Sequence, residues 1–265
     1  LVGSEMCIRD RKSPLETLFV SLPFDIIEMN DILEGKFMQT VLSQRLAAVA
    51  EFVPQGARLL DVGSDHAYLP IVLTEGEKIS FAIAGEVVKG PYESALHNVA
   101  GAGLADKIAV RLADGLAAFD ESDNVTAITI CGMGGGLIAD ILAAGVDKLA
   151  SVERLILQPN NREDELRAWL MANHFKIIAE KIMTENDKFY EIMVVEHGKM
   201  TLSDTELRFG PFLNQEKSAI FKLRWKRELK KLEIALPHVP KNRIDDREAI
   251  SQKIAAIKEA INESK

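Results

Sequence analysis

Short apolar runs alternate with stretches of helical periodicity over much of the chain. Apolar runs of this length, bounded by glycine, proline and acidic residues, are typical of strands. The predicted strands are 58–62, 81–85, 108–112, 125–130 and 155–157, and the predicted helices that follow them are 67–73, 91–99, 137–144 and 163–172. One more helix is predicted before the first strand, because Leu42, Leu46, Val49 and Val53 recur at helical spacing. This alternation predicts an open α/β sheet of parallel strands.

The pattern changes after the fifth strand. Two extended runs, 176–183 and 189–195, are separated by the five residues 184–188. That separation is too short for a crossover helix, so the runs predict an antiparallel hairpin. Five parallel α/β units closed by a hairpin are typical of class I, Rossmann-like methyltransferases that use S-adenosylmethionine. A dinucleotide dehydrogenase would normally end in a parallel strand.

The last part of the chain has a third pattern. Beyond Gly210-Pro211, two long helical patterns are separated by the connector 237–242, whose prolines cannot continue a helix. Each helix carries an apolar stripe with heptad-like spacing. The stripes consist of Trp225, Leu229, Leu232 and Leu236, and of Ile250, Ile254, Ile257 and Ile261. We therefore predict an α-helical coiled-coil hairpin at the C-terminal end.

These patterns divide the chain into three parts. Residues 29–198 are predicted to form the Rossmann-like domain, and residues 199–265 are predicted to form the helical hairpin. Residues 1–28 do not begin with methionine and show no clear helical or strand period. We expect this segment to be a sequence artefact or a disordered extension, with Met29 as a candidate start.

Composition and charge limit the class of protein. The net charge of −8 argues against a generally basic protein that coats nucleic acid, although it is compatible with a local basic face. Cys7 and Cys131 are too few for a disulfide framework and have no histidine at zinc-finger spacing. We therefore expect a cytoplasmic protein without a metal. No apolar run approaches the roughly 18 residues of a membrane span, so no membrane association is expected.

Acidic residues and glycines follow the first three predicted strands. Asp61, Gly63 and Asp65 lie where the first strand ends, Glu86 follows the second strand and Asp114-Gly115 follows the third. Open α/β sheets bind ligands at this edge, and a glycine lets the backbone approach a ligand closely. An acid after the first strand could hold the ammonium of S-adenosylmethionine, and an acid after the second could bind a ribose diol. The alternatives are a helix N-cap, a solvated loop acid and a simple turn.

Two further segments belong to the same edge of the sheet. Four glycines within 132–136 leave the backbone uncovered, which indicates that another group approaches it closely. Gln158-Pro159-Asn160 supplies two amides that could read the edge of a base, the alternative being a turn. His66 and Tyr68 are candidates for the acceptor side of the first loop, although a lone histidine is more often structural. We interpret Cys131 as a buried strand-end residue.

A basic segment lies in the first C-terminal helix. Its cations stand against a single acid, Glu228, and lie beside Phe221 and Trp225. They are Lys217, Lys222, Arg224, Lys226, Arg227, Lys230 and Lys231. A run of charge is usually a solvated helix face. In an otherwise acidic protein, this concentration of cations favours binding to a phosphate backbone over a merely solvated face.

Taken in order, these motifs resemble the TrmK family, bacterial tRNA methyltransferases that act on N1 of adenosine 22. The matching segments are 61–70, 84–86, 90–91, 114–116, 132–135 and 155–160, and the likeness covers about residues 38–235. The resemblance implies S-adenosylmethionine as cofactor, S-adenosylhomocysteine as product and tRNA as partner. The implied cofactor-binding residues are Asp61, Gly63, Ser64, Asp65, His66, Glu86, Asp114, Gly115, Gly132, Met133 and Gly134.

The reaction implied is direct transfer of a methyl group from the sulfonium to a ring nitrogen. Adenine N1 already carries a lone pair, so catalysis would consist mainly of positioning. The predicted catalytic residues are Asp65, Tyr68, Gln158 and Asn160. Asp65 is the candidate for stabilising the cationic product or accepting a proton from N6.

Three other functions compete with this prediction. The chain could methylate a small molecule or a protein, or it could be a non-catalytic binding or assembly module. A dinucleotide-dependent oxidoreductase is disfavoured, because no Gly-x-Gly-x-x-Gly motif follows Leu60. The oligomeric state stays open between a monomer and a weak dimer.

Overall fold

The computed structural model describes residues 41–261. The predicted extension 1–28 and Met29 lie outside this part of the chain. The strands are β1 (Ala57–Val62), β2 (Ile79–Glu86), β3 (Ile108–Leu112), β4 (Ala127–Met133), β5 (Arg154–Pro159), β6 (Phe175–Glu185) and β7 (Lys188–His197). The helices are α1 (Gln44–Phe52), α2 (Tyr68–Glu75), α3 (Lys89–Gly101), α4 (Gly135–Ala144), α5 (Glu163–Ala172), α6 (Asp204–Phe209), α7 (Pro211–Glu216), α8 (Ala219–Ala235) and α9 (Ile244–Ile261).

These seven strands form one sheet in the order β3-β2-β1-β4-β5-β7-β6. Strands β1 to β5 are parallel, whereas β7 runs antiparallel to both β5 and β6. The predicted parallel sheet and its closing hairpin are confirmed. The strand order reverses between β1 and β4, and open α/β sheets bind ligands at the carboxyl ends of the strands beside such a reversal.

The sheet has an apolar core on each face. Successive residues of a strand point to opposite faces, so Leu59 and Leu60 of β1 belong to different clusters. Leu60 shares its cluster with Ile138 of α4, and Leu59 shares the other with Val49 of α1. Burial on both faces explains why the central strands are continuous apolar runs rather than alternating ones.

Element boundaries differ from the prediction mainly near glycine and proline. Helix α4 begins at Gly135, within the glycine segment, and α3 begins at Lys89 with Pro91 in its first turn. The short helices α6 and α7 were not predicted. Ser203 and Glu206 form a capping box at the start of α6, a sequence signal that could have revealed this helix.

The two C-terminal helices pack together, but they do not form an isolated coiled coil. Leu229 and Leu232 of α8 share a cluster with Ile257 and Ile261 of α9, in agreement with the predicted stripes. The same cluster includes Ile182 of β6, so the sheet hairpin contributes to the packing. The structure therefore does not confirm a free-standing coiled coil.

Among the helices in residues 41–261, none is both long and apolar enough to cross a membrane.

A buried ion network attaches α8 to the α/β domain. Arg167 of α5 donates to Glu180 at 2.8 Å and to Glu191 at 2.5 Å, and all three side chains are at most 1% exposed. Arg224 of α8 pairs with Glu191 and, at 2.7 Å, with Glu163. The guanidinium of Arg224, a predicted RNA-binding residue, is thus engaged by two carboxylates of the protein itself.

Candidate active site

The loop after β1 brings backbone, rather than side chains, to the strand-order reversal. Gly63 has a φ of +65°, and a Cβ at this position would lie 2.5 Å from Met133 Cε. The amides of Gly63 and Ser64 donate to the Gly85 carbonyl at 2.9 and 3.2 Å. The left-handed backbone therefore favours glycine here, whereas the contact is with the flexible end of the Met133 side chain, which can move.

The next three residues continue in the left-handed region. Asp65, His66 and Ala67 have φ values of +44°, +73° and +61°, which non-glycine residues rarely adopt. The loop is held by a hydrogen bond of 2.5 Å from the Asp65 amide to Glu86 Oε1 and by one of 3.0 Å from Asn98 Nδ2 to the His66 carbonyl. This strained loop leaves the Asp65 side chain 81% exposed at the end of the sheet.

Asp61 lies buried beneath the loop. Its carboxylate accepts hydrogen bonds of 2.6 Å from the Ser64 hydroxyl and of 2.6 Å from the Thr129 hydroxyl. Burial raises the pKa of Asp61 to about 6, although the two hydroxyl donors partly oppose this rise. The carboxyl group therefore changes charge close to neutral pH.

A cavity of about 370 Å³ opens at this edge of the sheet. It brings together eight of the predicted site residues: Asp61, Gly63, Ser64, Asp65, Tyr68, Gly132, Met133 and Asn160. Four further lining residues were not predicted as site residues: Arg45, Leu46, Cys131 and Tyr190. Burial raises the pKa of the Cys131 thiol, in line with its interpretation as a strand-end residue rather than a nucleophile.

Other predicted cofactor residues lie outside this cavity. Glu86 ends β2, and burial raises the pKa of its carboxyl group. Asp114 is exposed after β3, and Gly115 has a φ of +51° with Ile141 Cγ2 only 2.9 Å from a hypothetical Cβ. The His66 ring stacks on Tyr68 with 5.4 Å between centroids. Glu86 and Asp114 thus lie at the carboxyl ends of β2 and β3, on the same edge of the sheet as the cavity.

The glycine segment after β4 has a packing explanation that the sequence did not show. A Cβ on Gly135 would lie 2.2 Å from the Arg162 carbonyl oxygen, and the Gly135 amide donates to the Asn161 carbonyl at 2.8 Å. The group that approaches this glycine is the loop between β5 and α5. A Cβ on Gly134 would lie 3.1 Å from Asn161 Oδ1. The start of α4 is thereby fixed against the loop that carries Asn160.

Gln158 and Asn160 have different surroundings. Gln158 is fully buried, and its Oε1 accepts from Arg45 Nη1 at 2.6 Å and from the Gly132 amide at 3.1 Å. Its Nε2 donates to the Pro159 carbonyl at 2.8 Å, so the amide is engaged at both ends. This geometry does not support the predicted contact of Gln158 with a base; it supports a role in orienting Arg45 and the Gly132 loop. Asn160 remains exposed at the cavity.

A larger cleft of about 880 Å³ adjoins the cavity. Asn160 and Tyr190 line both spaces. Basic side chains from four different elements line the cleft: Lys188, Arg208, Arg224, Arg227, Lys231 and Lys253. Lys226 and Lys230 are exposed on α8 but do not line the cleft, and neither do Lys217 and Lys222. Four acidic residues also line it, Glu163, Asp164, Asp187 and Glu228, so its six cations exceed its acids by two. Phe189 and Trp225 add aromatic surface to its walls.

Comparisons with known proteins agree with this geometry. The model of the TrmK family, described as tRNA (adenine(22)-N(1))-methyltransferase, matches residues 59–259. The tRNA (adenine(22)-N(1))-methyltransferase of Bacillus subtilis is 46% identical over 194 residues, which cover 71% of this chain and 81% of the relative.

Two solved structures are similar over most of the chain. A Streptococcus pneumoniae protein in complex with S-adenosyl-L-methionine is 58% identical, with a TM-score of 0.80, and the match covers 84% of this chain and 100% of that one. The TrmK of M. capricolum in complex with S-adenosyl-homocysteine is 30% identical, with a TM-score of 0.76 and coverage of 83% and 97%. With the sheet order, the loop after β1 and the family match across 201 residues in agreement, the chain belongs to the TrmK family.

Proposed function

We propose that this protein transfers the methyl group of S-adenosylmethionine to N1 of adenosine 22 in tRNA. The observation that carries the proposal is the junction of two spaces through Asn160 and Tyr190. One is the cavity at the strand-order reversal, and the other is the cleft, which has aromatic walls and more cations than acids. One space suits a cofactor and the other suits a nucleic acid. Family membership supports both assignments. A tRNA substrate also implies a cytoplasmic location.

The cofactor would lie along the carboxyl ends of β1 to β4. Asp61 and Asp65 are the candidates to bind its ammonium group, since both line the cavity. Glu86 is the candidate to bind the ribose hydroxyls, and Asp114-Gly115 is the candidate to contact adenine. The relatives solved with S-adenosyl-L-methionine and S-adenosyl-homocysteine support a ligand of this class. In residues 41–261, no group of three potential metal ligands from histidine, cysteine and acidic side chains occurs.

Catalysis in this site would consist mainly of positioning. The N1 lone pair attacks the methyl carbon while the carbon–sulfur bond breaks and its electron pair returns to sulfur. The positive charge passes from the sulfur to the base, where an exposed carboxylate such as that of Asp65 stabilises it. The substrate base has to leave its stack to reach the cavity.

Mass spectrometry of nucleosides tests the proposed function directly. Unmodified tRNA incubated with the protein and S-adenosylmethionine is expected to yield 1-methyladenosine. A matched tRNA with guanosine at position 22 is expected to yield none. Absence of 1-methyladenosine from the first tRNA would refute the reaction, and its formation in both would refute the position.

The affinity for the cofactor is expected to decrease as the pH is lowered. The ammonium of S-adenosylmethionine favours the carboxylate form of Asp61, whose pKa in the folded protein is raised to about 6. Binding therefore lowers this pKa and releases a proton, so the association constant decreases as the pH falls below about 6. Between pH 7 and pH 5 the loss should be roughly tenfold by linkage, measured by titration calorimetry.

The substitution Asp61→Asn is the matched control for this pH dependence. The variant keeps the shape of the side chain and removes its titration, so its weaker affinity should be nearly independent of pH between 5 and 7. If the variant shows the same pH dependence as the wild type, another group controls it and Asp61 is not the ammonium ligand.

A further inference from the structure

Tyr190 occupies the boundary between the cofactor cavity and the larger cleft. It lies on β7 opposite Met183 of β6 and is only partly buried. Asn160 is the only other residue that lines both spaces within the described part of the chain. A group that passes from the cleft toward the cavity therefore meets the side chains of Tyr190 and Asn160.

The Tyr190 ring is supported by well-held neighbours. The Arg45 guanidinium carbon lies 5.6 Å from the ring centroid, and Arg45 Nη1 donates to the buried Gln158 at 2.6 Å. The Glu185 carboxylate accepts from the amides of Gln44 at 2.7 Å and Arg45 at 3.3 Å, which ties the start of α1 to the end of β6. Arg45 thus contributes a cation–π contact to the Tyr190 ring and is itself fixed.

A base that leaves its stack needs a new stacking partner. Aromatic side chains provide such a surface for any base, because every base has a π face. We propose that Tyr190 is the surface on which the target adenine stacks while its N1 reaches the methyl group. This inference rests on the proposed function and adds to it the residue that holds the substrate base.

The other aromatic residues of the region are placed less suitably. Tyr68 lines the cavity but not the cleft, and its ring stacks on His66. Phe189 and Trp225 line the cleft but not the cavity. Trp225 is in addition only 6% exposed. Among the aromatic residues of 41–261, Tyr190 alone lines both spaces.

Substitution of Tyr190 by leucine and by phenylalanine tests the inference. Tyr190→Leu is expected to lower kcat/KM for tRNA about tenfold or more, whereas Tyr190→Phe should stay within about threefold of the wild type because it keeps the ring. The dissociation constant of S-adenosylmethionine, measured by calorimetry, should change less than about twofold in both variants. Phe81→Leu is the matched control, because it removes a partly buried ring that also has an arginine over it but lines neither the cavity nor the cleft.

A second measurement reports stacking independently of turnover. In a tRNA that carries the fluorescent base 2-aminopurine at position 22, stacking on Tyr190 should quench emission in the complex with the wild type. Emission should be higher with Tyr190→Leu and unchanged with Phe81→Leu. Thermal unfolding of each variant identifies any loss that arises from misfolding.

The outcomes separate this inference from the proposed function. If the wild type forms no 1-methyladenosine, the proposed function fails. If the wild type is active and Tyr190→Leu matches it in both kcat/KM and fluorescence, the proposed function stands and the stacking role of Tyr190 fails. The inference also fails if the loss in Tyr190→Leu follows a loss of cofactor affinity, because the ring would then belong to the cofactor site.

Discussion

Replacing Arg167 by leucine is expected to lower the free energy of unfolding by about 3–5 kcal/mol. Arg167 is fully buried and donates to Glu180, to Glu191 and, at 3.1 Å, to the Leu207 carbonyl. Without the guanidinium, two carboxylates that are at most 1% exposed lose their shared partner. Glu191 retains Arg224, whereas among the described residues Glu180 retains only the backbone amides of Phe212 at 2.9 Å and Leu213 at 3.3 Å. Urea denaturation of both proteins measures the difference.

The exposed pair of Arg243 and Asp246 provides a matched control for this substitution. Arg243 has a side chain 66% exposed, so Arg243→Leu removes the same charge from water rather than from the protein interior. Its cost should be at most about 1 kcal/mol. Equal effects of the two substitutions would show that the Arg167 network contributes no more than a surface pair. Failure of Arg167→Leu to fold at all, beside a folded Arg243→Leu, would be the extreme form of the expected result.

The fold was accessible from the sequence because its strongest signals are local. The first three strands are apolar runs that end near glycine or an acid. The five residues predicted between the last two strands are too few for a crossover helix, and in the structure only residues 186–187 separate β6 from β7. The short helix α6 was not predicted, because six residues are too few to show a helical period and its capping box is its only sequence signal. The packing of Ile182 against the C-terminal helices was also inaccessible, since nothing local distinguishes this residue from other strand residues.

The candidate site was predictable only where backbone geometry demands a particular residue. Gly63 has a left-handed backbone and lies against Met133, and such positions leave a signal in the sequence. Arg45 and Tyr190 reach the site from α1 and β7, far from it in sequence, and each fits the ordinary pattern of its element. Gln158, in contrast, was assigned to the site from its residue type alone. Its amide suggested recognition of a base, but both ends of the amide form hydrogen bonds inside the protein.

For Arg224 too, the sequence shows the residue type but not its partners in the fold. The sequence presents seven similar cations in one segment, of which six lie on α8 and Lys217 precedes it. Only the fold distinguishes a cation that is paired inside the protein from one that faces outward. Lys226 and Lys230 are exposed on α8, one helical turn apart, whereas the Arg224 side chain is 19% exposed. A test of RNA binding must therefore leave Arg224 intact, because its charge reversal would place a third carboxylate beside Glu163 and Glu191.

The double substitution Lys226→Glu and Lys230→Glu is expected to reduce kcat/KM for tRNA by about a hundredfold at moderate salt. Each change removes an attraction to a phosphate and adds a repulsion, while both positions remain exposed and outside the cofactor cavity. The affinity for S-adenosylmethionine should stay unchanged. Loss of two phosphate contacts should also reduce the slope of log kcat/KM against log salt concentration by roughly two.

The matched control is Lys107→Glu with Lys199→Glu, which changes the net charge by the same amount. Both lysines are exposed at the amino ends of the parallel strands, opposite to the cavity: Lys107 precedes β3 and Lys199 follows the antiparallel β7. Steering by net charge alone would affect the two double variants equally, whereas a binding face on α8 predicts a loss only in the first. Equal losses would assign the effect to overall charge. Full activity of the Lys226 and Lys230 variant would place the tRNA away from the exposed face of α8 and confine its contacts to the cleft.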